Sequence, residues 1–226
     1  MSVAYNNKIV TDGLILCLDA ADPKSYNGSG ITWYDRSKNE NHGILVNNPI
    51  YNSDNGGSII FDGADDYVEI LYDGDLSAND FTFSFFAKHN GPRDGRRTMI
   101  GLSNADQRAF FVYCMQIWGN DTQYMEFRGN NTSYESTILD DLPRPFYEWN
   151  HFTSVQTPSS SKVYLNGKIL LTASTSRRGV FDRIWLGSRG EQYWKGWLPN
   201  LNLYNRALSP EEILQNYNAT KGRFGL

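Results

Sequence analysis

Phe81-Thr82-Phe83-Ser84-Phe85 restricts the fold of this chain more than any other stretch. Rings at every second position share one face of a β-strand, whereas a helix would scatter them around its circumference. The same habit recurs along the sequence. Leu14 to Leu18, Ser58 to Phe61, Tyr67 to Ile70, Thr98 to Leu102, Ala109 to Trp118 and Tyr124 to Phe127 all read as strands. His151 to Val155, Lys162 to Leu165, Lys168 to Leu171, Arg183 to Leu186 and Asn200 to Tyr204 continue the series. Asn166-Gly167 separates two of these runs by two residues that both tolerate positive φ, which specifies a hairpin. The 22 Asn and 20 Gly supply turns on this scale, and aromatics at 14% supply strand formers.

One helix is specified, over residues 209–217. Ser209-Pro210-Glu211-Glu212 reads as N-cap, N1, N2 and N3 of a capping box, with Ile213, Leu214 and Tyr217 as the buried side. About a dozen strands and one short helix predict an all-β, antiparallel two-sheet sandwich. With 226 residues, no linker and no repeat, the chain reads as a single domain over 1–226, with 1–12 as a lead segment.

Charge and composition exclude several functions. The net charge is −4, and Lys and Arg are scattered, which argues against a nucleic-acid partner. There is no apolar run of membrane-spanning length, so no membrane insertion is expected, and Met1 to Gly13 has no signal-peptide pattern. Cys17 and Cys114 lie in apolar runs and read as reduced core residues. His42, His89 and His151 have no metal-ligand spacing.

Several segments together resemble the laminin-G-like, concanavalin A-like jelly-roll family. They are Trp33-Tyr34-Asp35-Arg36-Ser37 with Asn41-His42-Gly43, Phe61 to Val68, and Trp149 to Phe152. Gly13 to Ala20, Val163 to Gly167 and Tyr204 to Ser209 with Glu211 to Ile213 complete the set. Lys38, Asn39 and Glu40 depart from the family's pattern. The resemblance implies a jelly roll and is weak for function, because one fold hosts many. The chain also resembles virion proteins of marine tailed phages. That resemblance implies a non-enzymatic structural protein of the virion, decorating the particle or adhering to the host surface. The partners expected are other virion proteins of capsid or tail, host surface glycans, or a second copy in a homo-oligomer. The alternative is a lectin-like carbohydrate-binding module, with a glycoside hydrolase as the less favoured third reading.

Candidate sites follow from these readings. Glycan hydrolysis needs paired carboxylates on one face, and Glu126 has Tyr124 and Arg128 at ±2, so no catalytic residues are assigned. Sugar binding points to Trp118, Tyr193 and Trp194, since adjacent strand residues cannot both face inward and one of the last two must look outward. Residues 62–80 hold seven acids and no Lys or Arg, which suits Ca²⁺. The family resemblance implies Asp35, Asn41, Asp62 and Asp65 as the calcium ligands. Asp35 and Asp62 have a second reading as Asx-turn residues. Tyr5, Arg96 and Arg178 are the candidates for contact with a partner protein.

Overall fold

The computed structural model describes residues 8–72, 76, 80–91, 96–103, 113–118, 124–129, 133–138, 147–173, 181–190 and 192–226. Among the described residues there are nineteen strands, of which β1 (Leu14–Asp19), β2 (Thr32–Trp33), β3 (Gly43–Val46), β4 (Ile50–Asn52), β5 (Ser58–Asp62) and β6 (Tyr67–Leu71) come first. Next are β7 (Phe81–His89), β8 (Arg96–Ser103), β9 (Tyr113–Trp118), β10 (Tyr124–Gly129), β11 (Ser133–Ile138), β12 (Asn150–Gln156), β13 (Ser161–Leu165) and β14 (Lys168–Ala173). The last are β15 (Arg183–Leu186), β16 (Ser188–Arg189), β17 (Gln192–Tyr193), β18 (Lys195–Leu198) and β19 (Asn200–Tyr204), followed by helix α1 (Pro210–Thr220).

The first sheet runs β14-β13-β12-β7-β18-β5-β4, and β19 pairs both β7 and β1 beside it. The second runs β11-β10-β9-β8-β15-β6-β3-β2. Every pairing is antiparallel, including the small β16–β17 ribbon. Phe81, Phe83 and Phe85 are fully buried between the sheets with Phe61, Val68, Ile70, Ile184, Leu186 and Leu203. Consecutive strands β5 and β6 belong to different sheets, so the turn at Asp62 to Asp66 crosses the sandwich.

The other face of β7 is buried as well, because the C-terminal segment covers it. Phe86 stacks on Phe224, with centroids 4.3 Å apart, and Tyr217 packs over His151 at 5.8 Å. Thr82 Oγ1 donates to the Arg206 carbonyl and accepts from Leu208 N–H. This explains why all of β12 is buried although most of its residues are polar. His151 lies in that layer with Nε2 2.8 Å from Ser84 Oγ. Burial lowers its pKa from the usual value of 6.5 to about 3, so the imidazole is neutral.

The hairpin and cap stand as the sequence indicates. Asn166 and Gly167 have φ of 51° and 78°. Ser209 Oγ accepts from Glu212 N–H, and the Glu212 carboxylate accepts from Ser209 N–H. The buried side of the helix differs from the expectation at two positions, and Tyr217 is half-buried. Ile213 and Asn216 are buried, whereas Leu214 is exposed and rests beside the hairpin tip at Gly167. Asn216 is a polar core residue: Oδ1 accepts from Val10 N–H and Nδ2 donates to the Tyr204 hydroxyl. The lead segment is therefore not wholly external, since Val10 is buried against Tyr204, Leu208 and Ile213. No helix among the described residues is long and apolar enough to cross a membrane.

Candidate functional site

Among the described residues, a concavity lies at one end of the second sheet. An open depression of about 300 Å³ is lined by Asn41, Leu71, Tyr72, Asp182 and Arg183. Two adjoining strands and one loop build it. β6 ends at Leu71 where β15 begins at Arg183, and the two residues are register partners. Tyr72 N–H donates to the Asp182 carbonyl at 2.8 Å, and Asp182 N–H donates to the Ser103 carbonyl at 3.1 Å, which fixes the backbone under the site. Phe181 stacks on Tyr72 beneath it at 5.3 Å.

Arg183 sits between two carboxylates. One guanidinium nitrogen lies 2.6 Å from Glu69, and Nε lies 3.7 Å from Asp182. Half of the Asp182 side chain is exposed, and Leu71 is 61% exposed. The rim therefore offers a carboxylate, an amide, a guanidinium and an apolar flank within one small concavity.

The third wall is the 34–42 loop, and Asp35 organises it. Its Oδ1 accepts from Cys17 N–H and Ser37 N–H, both at 2.8 Å. Its Oδ2 accepts from Ser37 Oγ at 2.6 Å and Asn41 N–H at 3.0 Å. Asp35 N–H donates to His42 Nδ1 at 3.2 Å. Tyr34, half exposed, meets His42 edge-on at 5.1 Å. Burial raises the pKa of the Cys17 thiol to about 12, and the charges of Asp19 and Asp35 add to the effect. Cys17 is a free thiol, as expected, and the Cys114 side chain lies outside the described residues.

The calcium quartet read from the sequence does not assemble. Asp35 is buried and its four accepted bonds occupy both oxygens, so it is a loop-building residue, as its Asx-turn reading holds. Asp62 and Asp65 lie at the opposite end of β6, roughly 15 Å from Asn41 at strand rise. There they meet Asp66, a residue the sequence reading did not select. The three side chains place carboxylate oxygens within 4.8 Å of one another. Asp62 Oδ1 accepts from Ala64 N–H at 2.8 Å, which is an Asx turn, and Asp66 Oδ2 accepts from Asp62 N–H at 3.0 Å. Burial raises the pKa of Asp66 to about 6, and the charges of Asp62 and Asp65 add to the effect. Three clustered oxygen donors suit a hard cation, so Asp62, Asp65 and Asp66 are the residues that would hold Ca²⁺.

The aromatic candidates divide. Trp194 is fully buried and packs edge-on against His89 at 5.3 Å. Its ring belongs to the core and is corrected out of the sugar-binding set. Tyr193 is half-buried on β17, so of this adjacent pair one does face outward. Trp118 is the last residue of β9, paired with Tyr124 and Arg96. The side chains of Trp118 and Arg96, and all of Tyr5 and Arg178, lie outside the described residues. Sequence reasoning missed Asp182, Arg183, Leu71 and Tyr72. Their only local signal is an Asp-Arg pair opening a strand, and the site arises from long-range pairing.

Solved structures share this architecture. The botulinum neurotoxin serotype D ligand binding domain, in complex with N-acetylneuraminic acid, superposes with a TM-score of 0.70 at 16% identity, covering 91% of this chain and 50% of that one. Trypanosoma rangeli sialidase gives 0.71 at 16% identity over 95% of this chain and 34% of that one. The botulinum neurotoxin type G receptor binding domain gives 0.66 at 14% identity, covering 91% and 51%. The chain spans a third to a half of those proteins, and at these identities the likeness is one of fold. The Laminin_G_3 family model matches residues 62–214, about two thirds of the sequence, and takes in Leu71, Tyr72, Asp182 and Arg183 but not Asn41. The chain thus belongs to that family of the concanavalin A-like lectin/glucanases superfamily.

Proposed function

We propose that this protein is a non-catalytic, lectin-like module that binds glycan in the depression beside the 34–42 loop. The observation that carries this reading is the convergence of Asn41, Asp182 and Arg183 with exposed Leu71 around one open concavity. A sugar offers hydroxyls to carboxylate and amide groups and C–H faces to apolar side chains. Binding sites of this kind pair a few placed polar groups with apolar walls. The Asp35 hub and the fixed Asp182 backbone support a preorganised site, which lowers the ordering cost of binding.

Binding rather than hydrolysis fits the carboxylates present. Glycoside cleavage needs one carboxyl group to hold a proton as general acid. Both carboxylates beside this depression, Glu69 and Asp182, are instead partners of the Arg183 guanidinium. The acidic turn would add a Ca²⁺ ion as a structural clamp between the two sheets. Location on a virion, in contact with capsid or tail proteins, rests on the sequence resemblance. Immunogold labelling of purified particles tests it.

The function itself is tested by a glycan array followed by calorimetry on the best ligand. Asn41→Ala/Asp182→Ala should weaken binding at least about tenfold, equivalent to roughly 1.4 kcal/mol. A protein that binds no glycan, or that releases reducing ends from polysaccharide, would overturn this reading.

A further inference from the structure

The geometry points to an uncharged sugar as the ligand of this depression, with acidic sugars such as sialic and uronic acids excluded by the charge of its rim. The inference rests on the carbohydrate-binding reading above and concerns its specificity. The side chain best matched to the carboxylate of an anionic sugar is a guanidinium free to form two parallel bonds. Arg183 is the one cation among the described residues lining the depression, and Glu69 already engages it at 2.6 Å. Asp182 stands 3.7 Å from its Nε, with half of the side chain in solvent. The arginine is thus matched by two carboxylates, and an incoming carboxylate would face Asp182 and Glu69 at close range. Like charges brought together across an interface select against the wrong partner.

The remaining groups suit hydroxyls. Asn41 lends its Nδ2 to the Ile15 carbonyl only at 3.4 Å, a long bond. The Asp182 carboxylate accepts but cannot donate, which matches a pair of sugar hydroxyls. Leu71 supplies an apolar flank for a pyranose face. Glu69 thereby acts as a specificity-determining residue: it holds Arg183 away from anionic ligands.

An array carrying matched neutral, sialylated and uronic-acid glycans tests this. The native protein should bind neutral glycans at least about tenfold more tightly than their sialylated or uronic-acid counterparts. Raising the salt concentration should leave the neutral affinity unchanged, since no ligand charge is screened. Glu69→Gln releases the guanidinium and should raise the anionic-to-neutral binding ratio at least about tenfold. Preference of the native protein for acidic glycans, with the double Asn41/Asp182 variant abolishing it, would overturn the inference and leave the lectin reading standing. An unchanged ratio in Glu69→Gln that melts like the native protein would also overturn it. Absence of binding to every glycan would overturn both. If Glu69→Gln fails to fold, the native protein's salt series and neutral-to-acidic ratio decide.

Discussion

Single carboxylates show most clearly how position decides role. Asp35 and Asp66 are both buried acids in turns, yet one accepts four hydrogen bonds and the other one. Asp35→Asn replaces one acceptor oxygen with a donor that faces N–H groups. It should destabilise the fold by about 3 kcal/mol, read by urea unfolding. Asp66 works in the opposite sense. Its folded pKa of about 6 exceeds the ordinary 3.8, so the native state holds the proton more tightly. The stability contributed by that proton is present below about pH 4 and lost as pH rises through 6. Asp66→Asn should remove this loss, seen as a flatter stability profile between pH 4 and 6. A divalent cation would displace the same proton. Calcium at 100 times its Kd should add about 2.7 kcal/mol to the native protein and nothing to Asp66→Asn. An identical melting temperature in calcium and in chelator would retire the site. Asp35 was visible in the sequence as part of a motif, but its bond to Cys17 N–H spans eighteen residues and carries no local pattern.

At the scale of elements, the hairpin and helix follow local rules that a reader of the sequence can apply. Asn166-Gly167 needs two positive φ angles, and both are present. A side chain at Gly167 would also place its Cβ 3.0 Å from Leu214 Cδ1. Gly167→Val should therefore cost about 2 kcal/mol, from strain and from pushing α1 off the hairpin tip. Ser209→Ala should cost about 1 kcal/mol by opening the cap. Both are measured by chemical denaturation. The helix face was harder to read, because apolar periodicity nominates Leu214 and passes over Asn216. The amide is buried because Val10 N–H, 206 residues away in sequence, needs a partner, and its Nδ2 reaches the Tyr204 hydroxyl. Asn216→Leu keeps the volume and strands the Val10 N–H, while the Tyr204 hydroxyl keeps its bond to the Val10 carbonyl, and should cost about 2 kcal/mol by the same measurement.

For the whole molecule, alternation along Phe81 to Phe85 made the sandwich legible, while the distribution of its surfaces was not. Nothing in the run of β12 shows that both its faces are covered, since the cover comes from residues beyond 208. Removing residues 209–226 should uncover Phe86, Trp149 and His151 and give a protein that binds a hydrophobic dye and unfolds without cooperativity. His151 sets an acid limit on the same layer. Its pKa is lowered from 6.5 to about 3, so its contribution is present above pH 6.5 and lost as pH falls toward 3. The depression was illegible for a related reason: β3, β6 and β15 bring Asn41 and Leu71 together with Asp182, which lies more than a hundred residues further along the chain. Its Arg183 means little until Glu69 is seen beside it. The central claim is that this end of the second sheet is the binding surface. It is tested most directly by titrating ¹⁵N-labelled protein with a neutral glycan and following the amide resonances. Asn41, Leu71, Tyr72, Asp182 and Arg183 should shift together with one affinity, while the buried amides of β12 stay still. Shifts confined to Gln192 through Trp197, with residues 41, 71, 182 and 183 unmoved, would contradict it.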